Sequence, residues 1–297
     1  MQGERRLLPF PRYVGSLLER GEVNATMIAK LTTGQNLEEF RRAFTHKSAN
    51  PKINYDYYEI FGDTTVNEFV AYYIPERLPE ITSVRWITRI KHTLVSAKVL
   101  GAMAIDIGMD KYMLTGQEFE VLKRQATSTP EASKKLWKIM SDLVEAFCGC
   151  LVMRIQLMGH PRGAGIEVAH RFLRSFFSQI QIPTEFEEVF DAVSRLKETY
   201  EARYLGLNWP KKEKNIYDRN FMQAYGITRL PEPDKRYHIE VYGWPLGDRR
   251  PVPKNQVLLS SFYGFDKDET KQFAADVALK ILRRDYGIAL TPPGKKD

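Results

Sequence analysis

The sequence predicts two domains, an all-α N-terminal domain followed by an α+β domain. Apolar residues recur at helical spacing from about residue 37 to residue 177, and strand-like alternation is absent there. Beyond residue 182, segments that alternate like strands lie between two helical segments. A length of 297 residues gives each domain enough chain to bury its own core. We therefore assign the domains to residues 1–182 and 183–290, followed by a loose tail over 291–297.

The first domain is expected to be built from helices over residues 37–44, 66–78, 89–107, 134–158 and 166–177. The segment 134–158 is apolar on most of its faces, which is typical of a helix buried at the centre of a domain. Glycines and a proline between Gly159 and Gly165 end it.

The second domain is expected to contain a helix over 189–204, strands over 237–242 and 256–262, and a closing helix over 268–284. This half also holds most of the basic excess. The whole chain carries a net charge of +7, and the part from Asp191 onwards has 20 Lys and Arg against 15 Asp and Glu. Such a distribution favours a polyanionic partner for the second domain.

The composition also indicates where the protein works. Cys148 and Cys150 lie two positions apart in a helical segment, so they are expected to be buried free thiols of a reducing compartment. No run of 18 apolar residues and no signal-peptide pattern is present. We expect a soluble intracellular protein.

Two short acidic clusters are the most informative feature of the chain. The first contains Asp56, Glu59 and Asp63, and the second contains Asp142 and Glu145. Spacings of three and four positions place side chains on one face of a helix. The second cluster lies in an apolar run, where an unpaired carboxylate would cost several kcal/mol (about 3–5). A divalent cation resolves that conflict, and an all-carboxylate set suits Mg²⁺ or Mn²⁺.

The segments around these clusters resemble the ribonuclease III endonucleases. The family signature is similar to Asn54-Tyr55-Asp56-Tyr57-Tyr58-Glu59-Ile60-Phe61-Gly62-Asp63. Upstream, Thr45-His46-Lys47-Ser48 resembles the family's threonine-histidine-serine element, and Asp142-Leu143-Val144-Glu145-Ala146 resembles its second acidic pair. The stretch Thr64-Thr65-Val66-Asn67 is similar to ribonuclease III proteins of large DNA viruses. Several matched segments in the right order make a specific signal.

The resemblance implies a metal-dependent endonuclease that cuts double-stranded RNA into products with a 5′-phosphate and a two-nucleotide 3′ overhang. The implied ligands of two Mg²⁺ ions, or of Mn²⁺, are Glu59, Asp63, Asp142 and Glu145. Asp63 and Glu145 would be the catalytic residues, and no small-molecule cofactor is implied. Asp56, Asn54 and His46 would support the site, His46 through a structural hydrogen bond.

The resemblance also implies a homodimer, because each of two paired active sites cuts one strand. The helix with the signature would lie at the dimer seam, where Ile60 and Phe61 would make contact. Ile60 stands where a phenylalanine is common in the family.

The order α-β-β-β-α of the second half resembles a double-stranded RNA-binding domain in a divergent form. The RNA-binding residues implied by this resemblance are Glu198, Lys235, Arg236, Lys267 and Lys271. Pro233 and Asp268 replace a histidine and a lysine of that family, so we expect weaker duplex binding.

Two other classes of function remain open. One is a non-catalytic scaffold or RNA-binding subunit of a ribosomal or RNA-processing complex, and the other is a protein that sequesters double-stranded RNA. The chain retains Glu59, Asp63, Asp142 and Glu145, which argues against an enzyme that has lost its activity.

Overall fold

The computed structural model describes residues 7–205, 225–243 and 256–289. The chain divides into two compact units, and the division lies between Ile182 and Pro183. The tail expected over 291–297 falls outside the described residues. Over the three described ranges, no helix has the length and apolar character needed to cross a membrane.

The described part of the N-terminal unit is helical, as predicted. Its helices are α1 (Phe10–Arg20), α2 (Ala25–Leu31), α3 (Gly34–Ala43), α4 (Asp56–Arg77), α5 (Val84–Leu94), α6 (Ala97–Asp106), α7 (Gln117–Gln125), α8 (Pro130–Leu157) and α9 (Arg162–Phe177), with a short 3-10 helix at Met109–Lys111.

Helix α8 is the centre of this unit, and its prediction as a buried helix is confirmed. Every residue from 143 to 152 is buried, so this stretch has no solvent-facing side. Helices α4, α6 and α9 pack around it. Cys148 and Cys150 lie in this stretch as buried free thiols, also as predicted. The long apolar run therefore positions the second acidic cluster in the middle of the unit.

Two helical segments differ from their predictions. The expected single helix over 89–107 is wrong, because α5 ends at Leu94 and α6 begins after Ser96. Ser96 accepts a hydrogen bond from the backbone N–H of Val99, so it caps a new helix. The segment 66–78 is the second half of α4, which places the whole first acidic cluster and its downstream apolar residues on one helix.

The described part of the C-terminal unit combines helices α10 (Phe186–Val189), α11 (Ala192–Leu205) and α12 (Lys267–Tyr286) with a three-stranded antiparallel sheet. Its strands, in the order β1-β2-β3, are Tyr225–Arg229, Tyr237–Gly243 and Val257–Gly264. The core forms where α11 and α12 cover one face of the sheet, and includes Leu196, Ile239, Val241, Ala274 and Ala278.

Strand β1 was expected only from the order of elements, without bounds. Tyr225 is the one buried residue of this edge strand, and the other four residues are partly or fully exposed. It therefore lacks the apolar alternation by which β2 and β3 were predicted.

Candidate metal centre

Helices α4 and α8 touch backbone to backbone at a pair of glycines. A Cβ on Gly62 would lie 1.6 Å from the carbonyl oxygen of Glu145, and a Cβ on Gly149 would lie 2.1 Å from the carbonyl oxygen of Tyr58. No side chain fits at either position. The close crossing brings the first acidic cluster against the second.

Three carboxylates converge at this crossing. One oxygen each of Glu59, Asp142 and Glu145 lies within 4.8 Å of the other two. Glu145 is 5% exposed, and its Oε2 atom has no hydrogen-bond partner. A buried carboxylate oxygen without a partner is costly unless a cation or proton satisfies it. The donor set and the unpartnered oxygen fit a hard divalent cation.

Lys138 lies at the rim of the three carboxylates. Its Nζ atom is 2.6 Å from Oδ1 of Asp142, 3.5 Å from Oε1 of Glu59 and 4.0 Å from Oε2 of Glu145. The side chain is 57% exposed and belongs to the turn of α8 that precedes Asp142. The ammonium group therefore partly neutralises the cluster from the solvent side.

The pKa values of these groups reflect burial and mutual charge. Burial, which outweighs the attraction of Lys138, raises the pKa of Glu145 to about 7. Burial likewise raises the pKa of Asp142 above its usual value, with Glu59 and Asp56 adding repulsion. Burial alone would lower the pKa of Lys138, but its hydrogen bond to Asp142 and the surrounding carboxylates raise it. A divalent cation bound beside these acids would lower their pKa values and release the protons that they hold.

Asp63 lies just outside the set of three. It is exposed on α4, one turn after Glu59, and its Oδ1 atom accepts a hydrogen bond from Nδ2 of Asn67 at 3.0 Å. Its charge still contributes to the raised pKa of Glu145. Asp63 therefore borders the cluster on the same helix as Glu59.

The residues expected to support the site lie at the start of α4 and in the loop before it. Asp56 is exposed in the first turn of α4, and its backbone N–H donates to Oδ1 of the buried Asn54 at 2.9 Å. Nδ1 of His46 lies 2.7 Å from Oγ of Ser48, which also accepts a hydrogen bond from the backbone N–H of Gly116. Burial lowers the pKa of His46. These bonds join the loop to the segment that follows the 3-10 helix.

The residues expected at a dimer seam are exposed. Ile60 is 65% exposed and Phe61 is 41% exposed. The Phe61 ring packs edge-on against Tyr57, whose centroid is 5.4 Å away. This side of α4 therefore presents apolar surface to solvent.

The residues expected to bind RNA lie in the C-terminal unit, and several have acidic partners. Lys235 Nζ is 2.6 Å from Oε1 of Glu232. Arg236 donates twice to Asp234, with Nη2 2.8 Å from Oδ2.

The remaining candidates lie on two helices of this unit. Lys267 is exposed at the start of α12, where Asp268 and Glu269 also lie. The Lys271 ammonium lies 4.5 Å from the centroid of the Tyr225 ring. Glu198 is half-buried on α11.

Lys138 and Ser141 were missed from the sequence. Ser141 Oγ donates to Oε1 of Glu145 at 3.1 Å, and the two residues are both buried. Each of the two missed residues lies four positions before a carboxylate, Lys138 before Asp142 and Ser141 before Glu145. That spacing places them on the face of the helix that carries the acids, which is the signal that could have identified them.

The family model of the ribonuclease III domain matches residues 56–155, which run from the start of α4 almost to the end of α8. The chain carries a ribonuclease III domain. A candidate ribonuclease 3 of Frog virus 3 is 28% identical over 167 residues, which cover 55% of this chain and 42% of that protein. The chain thus spans less than half of the Frog virus 3 relative. The predicted resemblance to the ribonuclease III family, including its viral members, is confirmed.

Other relatives align with this chain over most of its length. A candidate ribonuclease 3 of Invertebrate iridescent virus 6 is 23% identical over 96% of this chain and 91% of its own. Ribonuclease 3 of Alcanivorax borkumensis is 23% identical over 90% of this chain and 99% of its own. Among solved structures, the nuclease domain of ribonuclease III from Campylobacter jejuni aligns with 61% of this chain and 100% of its own at 18% identity, with a TM-score of 0.41. The matched domain is that of an endoribonuclease, with RNA as its class of substrate.

Proposed function

We propose that the protein is a metal-dependent endoribonuclease that hydrolyses double-stranded RNA and leaves a 5′-phosphate and a two-nucleotide 3′ overhang. The observation that carries the proposal is the convergence of Glu59, Asp142 and Glu145 inside the ribonuclease III domain. The unpartnered oxygen of Glu145 supports a cation at this place over a purely structural cluster.

The cofactor would be Mg²⁺, or Mn²⁺, with two ions in each active site. Glu59, Asp142 and Glu145 would hold one ion, and Asp63 would extend the site towards a second. Bound ions of this kind polarise a phosphodiester and activate water. Lys138 would have to withdraw from the carboxylates when an ion binds, because its ammonium is 2.6 Å from Asp142.

The residues of the chain have separate roles in this proposal. Glu145 and Asp63 are the catalytic residues, since Glu145 is the most buried acid of the site and Asp63 borders it from the opposing helix. Asn54 fixes the start of α4 through the backbone of Asp56. His46 holds the preceding loop through Ser48.

We assign the dimer contact to the exposed apolar side of α4. Ile60 and Phe61 are large apolar side chains in the solvent on the helix that carries Glu59 and Asp63. A second copy placed there would bring two active sites onto one duplex, as two staggered cuts require.

The C-terminal unit would bind the duplex in the manner of a divergent double-stranded RNA-binding domain. Helices α11 and α12 and the three antiparallel strands between them support this assignment. Glu198, Lys235, Arg236, Lys267 and Lys271 would contact the RNA backbone or its 2′-hydroxyls. Glu232, Asp234 and Asp268 weaken the positive potential of that surface, so the affinity would be low.

Replacing Lys267 and Lys271 together with alanine is expected to weaken duplex binding. The slope of the logarithm of the binding constant against the logarithm of salt concentration should become shallower by about one to two. The measurement is the dissociation constant of a duplex RNA over a series of salt concentrations with EDTA present. Lys280→Ala is the matched control, because this lysine lies on the same helix and pairs with Asp276. A salt slope equal to that of the control would show that Lys267 and Lys271 on α12 do not bind RNA.

Cleavage of a long perfect RNA duplex, compared with one of its single strands, tests the proposed function. With Mg²⁺ we expect short duplex products with two-nucleotide 3′ overhangs, and with EDTA an intact duplex. A duplex that is bound but remains intact in Mg²⁺ would favour sequestration of RNA. A duplex that is neither bound nor cut by folded protein would favour the scaffold function.

A further inference from the structure

The two oxygens of the Glu145 carboxylate have different surroundings. Oε1 accepts a hydrogen bond from Oγ of Ser141 at 3.1 Å. Oε2 has no hydrogen-bond partner and lies 4.0 Å from Nζ of Lys138, which in turn contacts Asp142 and Glu59. The free oxygen is therefore the one on the side of the other two carboxylates.

The hydroxyl group of Ser141 accounts for this asymmetry. Ser141 is 2% exposed, within the central helix α8, and Glu145 is 5% exposed one turn later. A serine inside a helix commonly donates to the carbonyl four residues earlier. Ser141 instead donates forward to the side chain of Glu145.

We propose that Ser141 is a positioning residue that fixes the Glu145 carboxylate with Oε2 directed at the divalent cation. The inference rests on the proposed metal site and adds to it a residue that touches neither the ion nor RNA. A hydrogen bond to one oxygen of a buried carboxylate limits rotation of the group. The ion then meets a preorganised oxygen and the protein loses less side-chain freedom on binding.

Ser141→Ala is expected to weaken Mn²⁺ binding about tenfold, which is the lower end of what outer partners of metal ligands contribute. Binding is measured by titration calorimetry on the full chain without RNA. Cleavage at low Mg²⁺ should fall by a similar factor and recover as Mg²⁺ is raised, because the ligands themselves remain. Ser141→Thr keeps the hydroxyl and should bind Mn²⁺ within about threefold of wild type.

Cys148→Ala is the control for packing, since this thiol is fully buried in the same helix, three residues after Glu145. It should leave Mn²⁺ affinity unchanged. Equal affinities for wild type and Ser141→Ala would overturn the inference, and so would an equal loss in Ser141→Ala and Cys148→Ala. A wild-type protein that binds no Mn²⁺ would overturn the proposed function, and this inference with it.

Discussion

Replacing Gly62 with alanine is expected to lower the free energy of unfolding of the helical unit by about 3 kcal/mol or more. The added Cβ would lie 1.6 Å from the carbonyl oxygen of Glu145, and this oxygen belongs to the backbone of a buried helix. Helices α4 and α8 would have to move apart, and the three carboxylates would separate with them. Thermal unfolding followed by circular dichroism should show a midpoint lowered by roughly 10 °C.

Gly163→Ala is the matched control for this substitution. Gly163 is also a helical glycine, in the first turn of α9, and a Cβ there meets nothing within 4 Å. Alanine in its place should be neutral or slightly stabilising, by less than about 1 kcal/mol. If the two variants unfold at the same temperature, the close crossing of α4 and α8 is incorrect.

Replacing Glu145 with glutamine is expected to abolish RNA cleavage. The amide is neutral, so it lacks the negative charge with which the carboxylate binds a divalent ion. Losing several kcal/mol of transition-state stabilisation by that ion corresponds to about a thousand-fold or more in rate. Duplex binding in EDTA should be unchanged. Single-turnover cleavage and a binding titration on the same preparation separate these effects.

The Glu145→Gln substitution is expected to leave the metal-free protein at least as stable as wild type at pH 8. Burial raises the pKa of Glu145 to about 7, so the folded protein holds this proton at pH values where the unfolded chain has released it. The metal-free wild type therefore loses stability between the ordinary carboxylate range and about pH 7. Glutamine removes that loss, and the variant should unfold at an equal or higher temperature than wild type at pH 8 in EDTA.

Cleavage of RNA by the Glu145→Gln variant at the wild-type rate would show that Glu145 takes no part in the reaction.

The sequence was sufficient for the parts of the fold that long periodic segments determine. The apolar stretch 134–158 predicted the buried helix α8, and the spacing of the acidic signature predicted that its carboxylates share one helix. Gly62 is a place of close approach between α4 and α8. That the approaching group is the backbone of Glu145 follows only from the paired helices, because spacing within one helix carries no information about the partner.

Other features needed the tertiary structure. The turn between α5 and α6 was missed because Ser96 caps a helix within an apolar pattern that continues through it. Lys138 and Ser141 resembled ordinary helix residues, and their roles depend on the burial and charge of Asp142 and Glu145. Lys235 and Arg236 were expected to bind RNA, and only the structure shows that they pair with Glu232 and Asp234.

Divalent-ion binding to the wild-type protein tests the central claim most directly. Mn²⁺ added to the metal-free chain can be counted by electron paramagnetic resonance, in which bound ions lose the sharp signal of free Mn²⁺. We predict two bound ions per chain for wild type and a loss of binding in Glu145→Gln, with Mg²⁺ competing for the same sites. Equal Mn²⁺ binding by both proteins, or none by either, would contradict a metal centre built on Glu59, Asp63, Asp142 and Glu145.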